Sequence, residues 1–305
     1  MDAIQQELLN QVAGLHEVPE GAYNIRANGE LAGRNTTANI DIITKEDRSG
    51  IDIRIKPGTR GESVHIPVVL SQSGLKESVY NDFFVGEESD VTIIAGCGIH
   101  NSGDQASEHS GIHRFFIEKN AKVRYVEKHY GSGDGSGERI MNPTTEIHLA
   151  QGAVLEMETV QIKGIHSTRR VTMAKVEKEA SLTIREKIMT HGEQFAETDF
   201  TVDMEGEDSN VNLISRSVAR ERSRQVFRSR ISGNASCRGH SECDAIIMDE
   251  ASVSAIPELT ANHIDANLIH EAAIGKIAGE QLIKLMTLGL TEKEAEEQIV
   301  KGFLK

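Results

Sequence analysis

Tryptophan is absent from the sequence, and aromatic residues make up only 4% of its 305 residues. Basic side chains are also scarce, because 33 Lys and Arg stand against 47 Asp and Glu and leave a formal net charge of −14. Such a surface repels the phosphates of nucleic acids and of anionic membranes, and few aromatic rings remain to stack on bases. The composition therefore argues against a nucleic-acid or membrane partner.

Long hydrophobic runs are missing as well. No stretch approaches the roughly 20 apolar residues that cross a bilayer, and the first sixteen residues contain two acids and no basic side chain, unlike a secretory signal. The cysteines, Cys97, Cys237 and Cys243, are too few and odd in number for a disulfide framework. We therefore expect a cytoplasmic protein whose thiols are either buried apolar groups or metal ligands.

A repeat of short strand-like segments fills the middle of the chain, between about residues 35 and 265. Apolar and polar residues alternate in runs such as 51–55, a pattern typical of strands. Units of about 30 residues that contain only strand and turn predict stacked coils with a shared core, which is a solenoid. A β-sandwich is the alternative. The repeated positions are Val91, Val123, Val154, Leu182 and Val211, at steps of 32, 31, 28 and 29 residues.

Helical patterns occur on both sides of this region. At the N terminus, apolar residues between Ile4 and Leu15 fall on one face of a helix. After Pro257 the pattern predicts helices again, with an apolar stripe over 274–286 and a capping box at Thr291 and Glu294. The predicted organisation is a helical segment at 1–34, a β-helix core at 35–265 and a C-terminal helical segment at 266–305.

Motifs near the C terminus resemble those of a known family. The segments 269–277 (IHEAAIGKI), 289–295 (GLTEKEA) and 302–303 (GF) resemble the closing motif of the SufB/SufD family. Upstream, Cys243-Asp244 and Pro257-Glu258-Leu259 resemble the Cys-Asp and Pro-x-(Ile/Leu) stretches of that family. A multi-cysteine N-terminal motif of the long SufB form is absent from this sequence.

The resemblance implies a mainly β fold, a right-handed parallel β-helix with a short N-terminal helix and a C-terminal helical segment. It also implies a role as a compact, homodimeric scaffold of the Suf-type iron–sulfur cluster assembly machinery, with dimerisation through the β-helix. The implied partner is the ABC-type Suf ATPase, docked on the C-terminal helices. The scaffold itself is then not an enzyme, since ATP hydrolysis comes from the partner.

The resemblance also implies the residues that bind the cluster. Cys243 stands at the position of the cluster ligand or sulfur acceptor, and His270 and Glu271 stand at the histidine and acidic positions near it. Cys237 is a further candidate through proximity, although an unbroken strand would separate it from Cys243 by roughly 20 Å. The predicted cofactor is a transient iron–sulfur cluster, with Cys243, Cys237 and Glu271 as metal ligands and His270 beside them.

Each of these residues has a plainer interpretation. A cysteine in a β-rich core often acts as a small apolar residue, which is the interpretation we favour for Cys97. His270 and Glu271 at a helix start would match the helix dipole. His109 and His113 lie four residues apart on one face of a strand, so a metal site is an option, but surface or hydrogen-bonded histidines are the favoured interpretation. His100 and His129 complete this histidine-rich region.

Two other functions fit a β-helix. A polysaccharide lyase or hydrolase needs clustered carboxylates in an exposed groove and aromatic residues for sugar stacking, and aromatic residues are scarce here. A purely structural member would pair with a true scaffold and bind no metal.

Overall fold

Short parallel strands stack into a β-solenoid of about eight turns, as the repeat predicted. The computed structural model describes residues 1–16 and 19–305. The helices are α1 (Ala3–Ala13), α2 (Gly279–Met286) and α3 (Glu292–Phe303). In chain order the strands are β1 (Ala22–Ala27), β2 (Glu30–Asn35), β3 (Ile40–Thr44), β4 (Gly50–Ile55), β5 (Arg60–Leu70), β6 (Lys76–Val85), β7 (Asp90–His100), β8 (Ser107–Ile117), β9 (Lys122–Ser132), β10 (Arg139–Met141), β11 (Thr144–Leu149), β12 (Val154–Lys163), β13 (Ser167–Val176), β14 (Ser181–Thr190), β15 (Phe195–Met204), β16 (Ser209–Ala219), β17 (Arg224–Gly233), β18 (Cys237–Ile247), β19 (Ser252–Ala261) and β20 (Ala266–Gly275).

The strands form two sheets whose inner faces enclose the core. Sheet A has the order β2-β1-β5-β7-β9-β12-β14-β16-β18-β20, and sheet B has the order β19-β17-β15-β13-β10-β8-β6-β4-β3, with β11 also pairing with β8 and β13. Strands from successive coils pair in parallel, whereas the pairs β1–β2 and β3–β4 at the N-terminal end are antiparallel. Each coil therefore adds a layer to the same two sheets.

Each repeat of about 30 residues contains a corner at which the chain passes from sheet B to sheet A. Most coils have one residue with left-handed backbone at this corner, and Glu88, Asn120, Gly152, Glu179 and Asp208 have φ between 56° and 69°. Gly, Asn and Asp adopt this conformation with the least strain, and the two glutamates show that the corner also accepts other residues. After the corner, Val91, Val123, Leu155, Leu182 and Val211 stack in register on the inner face of sheet A.

The sequence alignment was one residue off in the third of these coils. Leu155 pairs with Val123, whereas Val154 pairs with Lys122 and lies on the other face of the sheet. Both residues are apolar, so the sequence pattern alone favours neither. The register is set by the corner at Gly152, which precedes the strand.

The core is built from repeated stacking of like side chains. Phe83 and Phe115 lie on neighbouring strands with ring centroids 4.5 Å apart and nearly parallel planes. Both rings are fully buried. Burying a Phe stabilises the fold by about 1.5–3 kcal/mol, and stacking one coil on the next repeats this gain along the solenoid.

Helix α1 docks on the outer face of sheet A. It begins with a capping box formed by Asp2 and Gln5, and Leu8, Leu9 and Val12 are buried beneath it. The sheet offers glycines at this contact: a Cβ atom on Gly96 would lie 2.8 Å from the carbonyl oxygens of both Val12 and Lys128. The helix therefore lies close to the sheet only because this position has no side chain.

The boundaries of the strand region differ from the predicted ones. Strands begin at Ala22 rather than near residue 35, and β20 extends through Ala266–Gly275, where a helical segment was expected. The prediction of helix directly after Pro257 is wrong, because Pro257 lies within β19. That strand is the last one of sheet B in the described part of the chain. An edge strand tolerates proline because one side of it needs no N–H for the ladder.

The two C-terminal helices form a pair after β20. The capping box predicted at Thr291 and Glu294 is confirmed, since the Thr291 hydroxyl accepts a hydrogen bond from the backbone N–H of Glu294. Ala295 and Val300 are buried, while Ile283 and Leu288 are exposed. Among the described residues, no helix has both the length and the apolar character needed to cross a membrane.

Candidate functional site

Cys243 lies near the middle of β18 and points into the solenoid. Alternate residues of β18 from Cys237 to Ala245 are buried, so Cys243 faces the interior and is only 1% exposed. On the neighbouring strands it pairs with Ser215 and Ala272. Burial raises the pKa of the Cys243 thiol to about 12, and the nearby charges of Glu186 and Asp244 add to the effect. The group is therefore a protonated thiol at neutral pH.

A column of polar residues continues from Cys243 toward the N-terminal coils. At the same register of sheet A, successive strands place Ser215, Glu186, Thr159 and Glu127 on the inner face. With about 4.8 Å between strands, the column spans roughly 19 Å. Glu186 accepts hydrogen bonds from the Ser215 hydroxyl at 3.0 Å and from the Thr198 hydroxyl at 2.8 Å.

One arginine serves the two carboxylates of this column. Arg170 extends from sheet B and lies 2.7 Å from Glu127 and 3.5 Å from Glu186, and all three side chains are buried. Burial opposes ionisation of Glu127, but the charges of Arg170 and of neighbouring histidines hold its pKa well below the usual range. For Glu186 burial dominates, and its pKa is raised. A single guanidinium thus fully compensates only one of the two carboxylates.

Cys237 lies on the same inner face as Cys243 but at the beginning of β18. The strand runs unbroken from Cys237 to Ile247, so Gly239 makes no turn that would bring the two sulfurs together. Six residues of extended strand span roughly 20 Å. Burial raises the pKa of the Cys237 thiol as well. Within one chain, the two thiols cannot share a cluster.

His270 and Glu271 lie within β20 rather than at a helix start, so their expected role in matching a helix dipole is wrong. His270 pairs with Ser241 on the inner face, and its buried Nδ1 atom has no hydrogen-bond partner. Glu271 pairs with Glu242 on the outer face, where its side chain is 69% exposed and lies 3.5 Å from Nε2 of His240. Alternation along the strand therefore puts His270, and not Glu271, on the side of Cys243.

The predicted ligands thus divide into separate places on one chain. Cys243 and His270 share the inner face of adjacent strands, whereas Cys237 is at the far end of β18 and Glu271 points outward. In residues 1–16 and 19–305 of a single chain, no three His, Cys, Asp or Glu side chains are grouped so that they could hold a metal ion. The assignment of these residues to a cluster stays a prediction.

The C-terminal end of the solenoid is an open edge. Both sheets end there within the described residues, sheet A at β20 and sheet B at β19. Apolar side chains on these strands are exposed, including Ile256, Ile269 and Ile274. Long edges with exposed apolar residues favour pairing with another chain. Cys243 is a single strand spacing, about 4.8 Å, from this edge.

A second polar cluster lies in the N-terminal half of the interior. Cys97 is buried there as expected, and His109, His113 and His129 are buried as well, so a surface position for these histidines is wrong. Cys97, His109, His113, His129 and Glu127 line one small cavity, which has room for about one water molecule. The sequence marks this cluster only by polar residues at strand positions that point inward. These positions can be recognised only when the register of each strand is known.

Comparisons with known proteins identify relatives of this chain. Residues 78–303 match the family model described as "SUF system FeS cluster assembly, SufBD core domain". A protein of Archaeoglobus fulgidus is 33% identical over 265 residues, which cover 85% of this chain and 69% of the relative. A protein of Methanothermobacter thermautotrophicus is 28% identical over 265 residues, covering 85% and 63%. A protein of Methanocaldococcus jannaschii is 28% identical over 243 residues, covering 79% and 76%. All three are described as iron–sulfur cluster assembly SufBD family proteins.

Proposed function

Because the chain belongs to the SufBD family of iron–sulfur cluster assembly proteins, we propose that it is a cytoplasmic scaffold on which clusters are built and then passed on. The observation that supports this role best is the position of Cys243, one strand from the open end of the solenoid and beside His270. The scaffold itself hydrolyses no ATP, and an ABC-type ATPase partner supplies that activity.

The cluster is the cargo of this scaffold, and one chain offers too few ligands for it. Iron–sulfur clusters are held by thiolates, with histidine in some sites. Cys243 and His270 provide two such groups on the inner face, and a metal ion would displace the proton of the buried thiol. We infer that the other ligands come from a second chain. A site with so few thiolates holds its cluster loosely, which suits transfer.

The second chain is a second copy of this protein. The edges of β19 and β20 have unpaired backbone groups and exposed isoleucines, and both meet at the end nearest Cys243. Pairing these edges with those of another copy would satisfy their backbone groups and extend both sheets across the contact. The proposed homodimer therefore places two Cys243–His270 pairs close to one interface.

Anaerobic reconstitution with ferrous iron and sulfide tests this function. The wild-type protein should acquire thiolate-to-iron charge-transfer absorbance, and Cys243→Ser should lose it, because the substitution removes the thiolate at the proposed interface. Cys97→Ser is the matched control, since that thiol is buried in the N-terminal half of the solenoid. A loaded wild-type protein should lose its absorbance to an added apo-acceptor.

A different result would favour the second candidate function, a structural partner of another scaffold that binds no metal. This candidate is favoured by the deep burial of Cys243 and by the raised pKa of its thiol. If neither wild type nor Cys243→Ser acquires the absorbance, the protein is such a partner. If both acquire the same absorbance, iron binds elsewhere and the scaffold role centred on Cys243 is wrong.

The ATPase partner is proposed to dock on α2 and α3. Helix α2 has no buried residue, and the apolar side chains of Ile283, Met286 and Leu288, in this helix and just after it, are exposed. We expect Ile283→Asp to weaken ATPase binding by about tenfold or more, as for an apolar anchor at an interface centre. Calorimetric titration measures the affinity. Ile264→Asp changes an isoleucine that is even more exposed and lies between β19 and β20, and this variant should bind the ATPase like wild type.

A further inference from the structure

We propose that the N-terminal half of the solenoid interior contains a mononuclear site for a divalent transition metal. Its ligands are the Nε2 atoms of His109 and His113 and the side-chain oxygen of Asn81. The site is separate from Cys243 and does not depend on the scaffold role proposed above.

Two strands of sheet B place these residues around one gap. Strand β8 directs His109, Gly111 and His113 to the inner face, and β6 directs Asn81 to the same face in register with His113. Gly111 has no side chain to fill the space between the imidazoles. A Cβ atom at this position would lie 3.2 Å from Nε2 of His113 and 3.5 Å from Nε2 of His109. Both nitrogens therefore border the same gap.

The hydrogen bonds of His113 determine which of its two ring nitrogens carries the proton. The Tyr125 hydroxyl donates to Glu127 at 2.9 Å, so its oxygen accepts from Nδ1–H of His113 at 2.8 Å. With the proton on Nδ1, Nε2 is an acceptor and a potential metal ligand.

His109 also has a carboxylate on the side of its Nδ1 atom, but at a longer distance. Its Nδ1 atom lies 3.8 Å from Oε2 of Glu77, whose other oxygen accepts hydrogen bonds from Arg26. A carboxylate behind the outer nitrogen, with the inner nitrogen facing a cavity, is the usual setting of a metal-binding histidine. Two histidines with this setting around one gap distinguish the cluster from histidines that merely fill a core.

One unpartnered polar atom belongs to a side chain at this gap. Oδ1 of Asn81 is buried and makes no hydrogen bond. Burying such an atom costs about 1–3 kcal/mol. The amide nitrogen of Asn81 lies 3.4 Å from Nε2 of His113, so a bound cation would turn the amide and take its oxygen as a ligand. Metal binding would thus satisfy an amide oxygen that the protein alone leaves unsatisfied.

The ligand set determines the class of ion. Imidazole nitrogens suit Zn²⁺, Fe²⁺, Co²⁺ and Ni²⁺, whereas Ca²⁺ and Mg²⁺ prefer oxygen ligands. The cavity at the gap has room for about one water-sized group, which is the space that the ion itself would occupy between its three ligands. Two histidines and one amide also agree with the finding that the described residues include no metal-holding group of three His, Cys, Asp or Glu.

Cobalt titration of the full chain tests the site. The protein is prepared with Cys237→Ser and Cys243→Ser, treated with a chelator and titrated with Co²⁺ alone. We expect about one equivalent to bind, with visible absorption from the metal but without thiolate-to-cobalt charge transfer. His109→Asn and His113→Asn should each weaken binding by about tenfold or more. His148→Asn is the control, because this histidine stacks on Phe116 at the outer face.

A further variant keeps the test decisive if a histidine replacement fails to fold. Gly111→Ala retains both imidazoles and their hydrogen bonds but fills the gap between them. It should lose cobalt binding and keep the circular dichroism spectrum of the parent. The proposal is wrong if the parent binds no Co²⁺, if Gly111→Ala binds it as tightly as the parent, or if a charge-transfer band that Cys97→Ser removes shows a thiolate ligand.

Discussion

Replacing Arg170 by alanine is expected to lower the free energy of unfolding by about 3–5 kcal/mol, the cost of removing one partner of a buried ion pair. The Arg170 side chain is 6% exposed and lies 2.7 Å from Glu127 and 3.5 Å from Glu186. Without the guanidinium, two buried carboxyl groups lose the charge that both depend on. Because these groups belong to different coils, the loss affects several layers of the solenoid at once.

Urea unfolding followed by circular dichroism measures this effect, and the neighbouring residue provides the control. Arg169 precedes Arg170 in the same strand but points outward, where it is 67% exposed and lies 2.8 Å from Glu197. Arg169→Ala should cost about 1 kcal/mol or less, as for other surface ion pairs. Equal losses in the two variants would show that the interior pair contributes no more than a surface pair.

The pH dependence gives the same experiment a second readout. In the wild type the pKa of Glu127 lies well below 4.5, so its stabilising contribution is present above that pH and is lost as the pH falls through the lower value. In Arg170→Ala the largest charge that opposes the effect of burial is gone, so the pKa of Glu127 should rise, although His113 and His129 still act to lower it. The penalty of the variant should therefore shrink between pH 7 and about pH 5, because its carboxyl groups become neutral.

Replacing Gly96 by alanine is expected to release α1 from sheet A. The new methyl group would lie 2.8 Å from backbone oxygens on two sides, Val12 of the helix and Lys128 of the neighbouring strand. Strands within a sheet cannot separate, so the helix must move. Its burial of Leu8, Leu9 and Val12 contributes about 1.5–3 kcal/mol for each side chain, and we expect a loss of about 3 kcal/mol or more.

Hydrogen exchange of the α1 amides reports the release directly. In Gly96→Ala these amides should exchange much faster than in wild type, while amides in β16 and β18 keep their protection. Gly33→Ala is the control, since a Cβ atom there would meet only the Tyr23 ring at an ordinary distance of 3.4 Å. Unchanged protection of α1 in Gly96→Ala would show that the helix does not depend on the glycine.

The fold could be predicted because the solenoid repeats its own pattern. The alternation of apolar and polar residues predicted the strands. The spacing of Val91, Val123, Leu182 and Val211 predicted the coil, although Val154 was aligned at the position that Leu155 occupies. The last coil was harder to recognise, since Pro257 and the apolar stripe beyond Ile274 both suggest a helix. An edge strand tolerates residues that a central strand does not, and a strand can be identified as an edge only in the assembled sheets.

The candidate site was predicted only in part, because a site depends on which face each residue occupies. Motif resemblance placed Cys243, His270 and Glu271 together along the chain, but alternation in β20 separates the last two across the sheet. The column from Glu127 to Cys243 was missed altogether. Its members are spaced by the full length of a coil, so no local pattern marks them.

The two ends of the solenoid are finished in different ways. At the N-terminal end each sheet closes with an antiparallel pair, β1–β2 in one and β3–β4 in the other, whereas at the C-terminal end parallel strands remain available for pairing. A head-to-head contact between two molecules would use up the available edge of both. Such an assembly would leave β2 and β3 as its outermost strands, and these have six and five residues against ten in each of β19 and β20, which disfavours growth into a fibre.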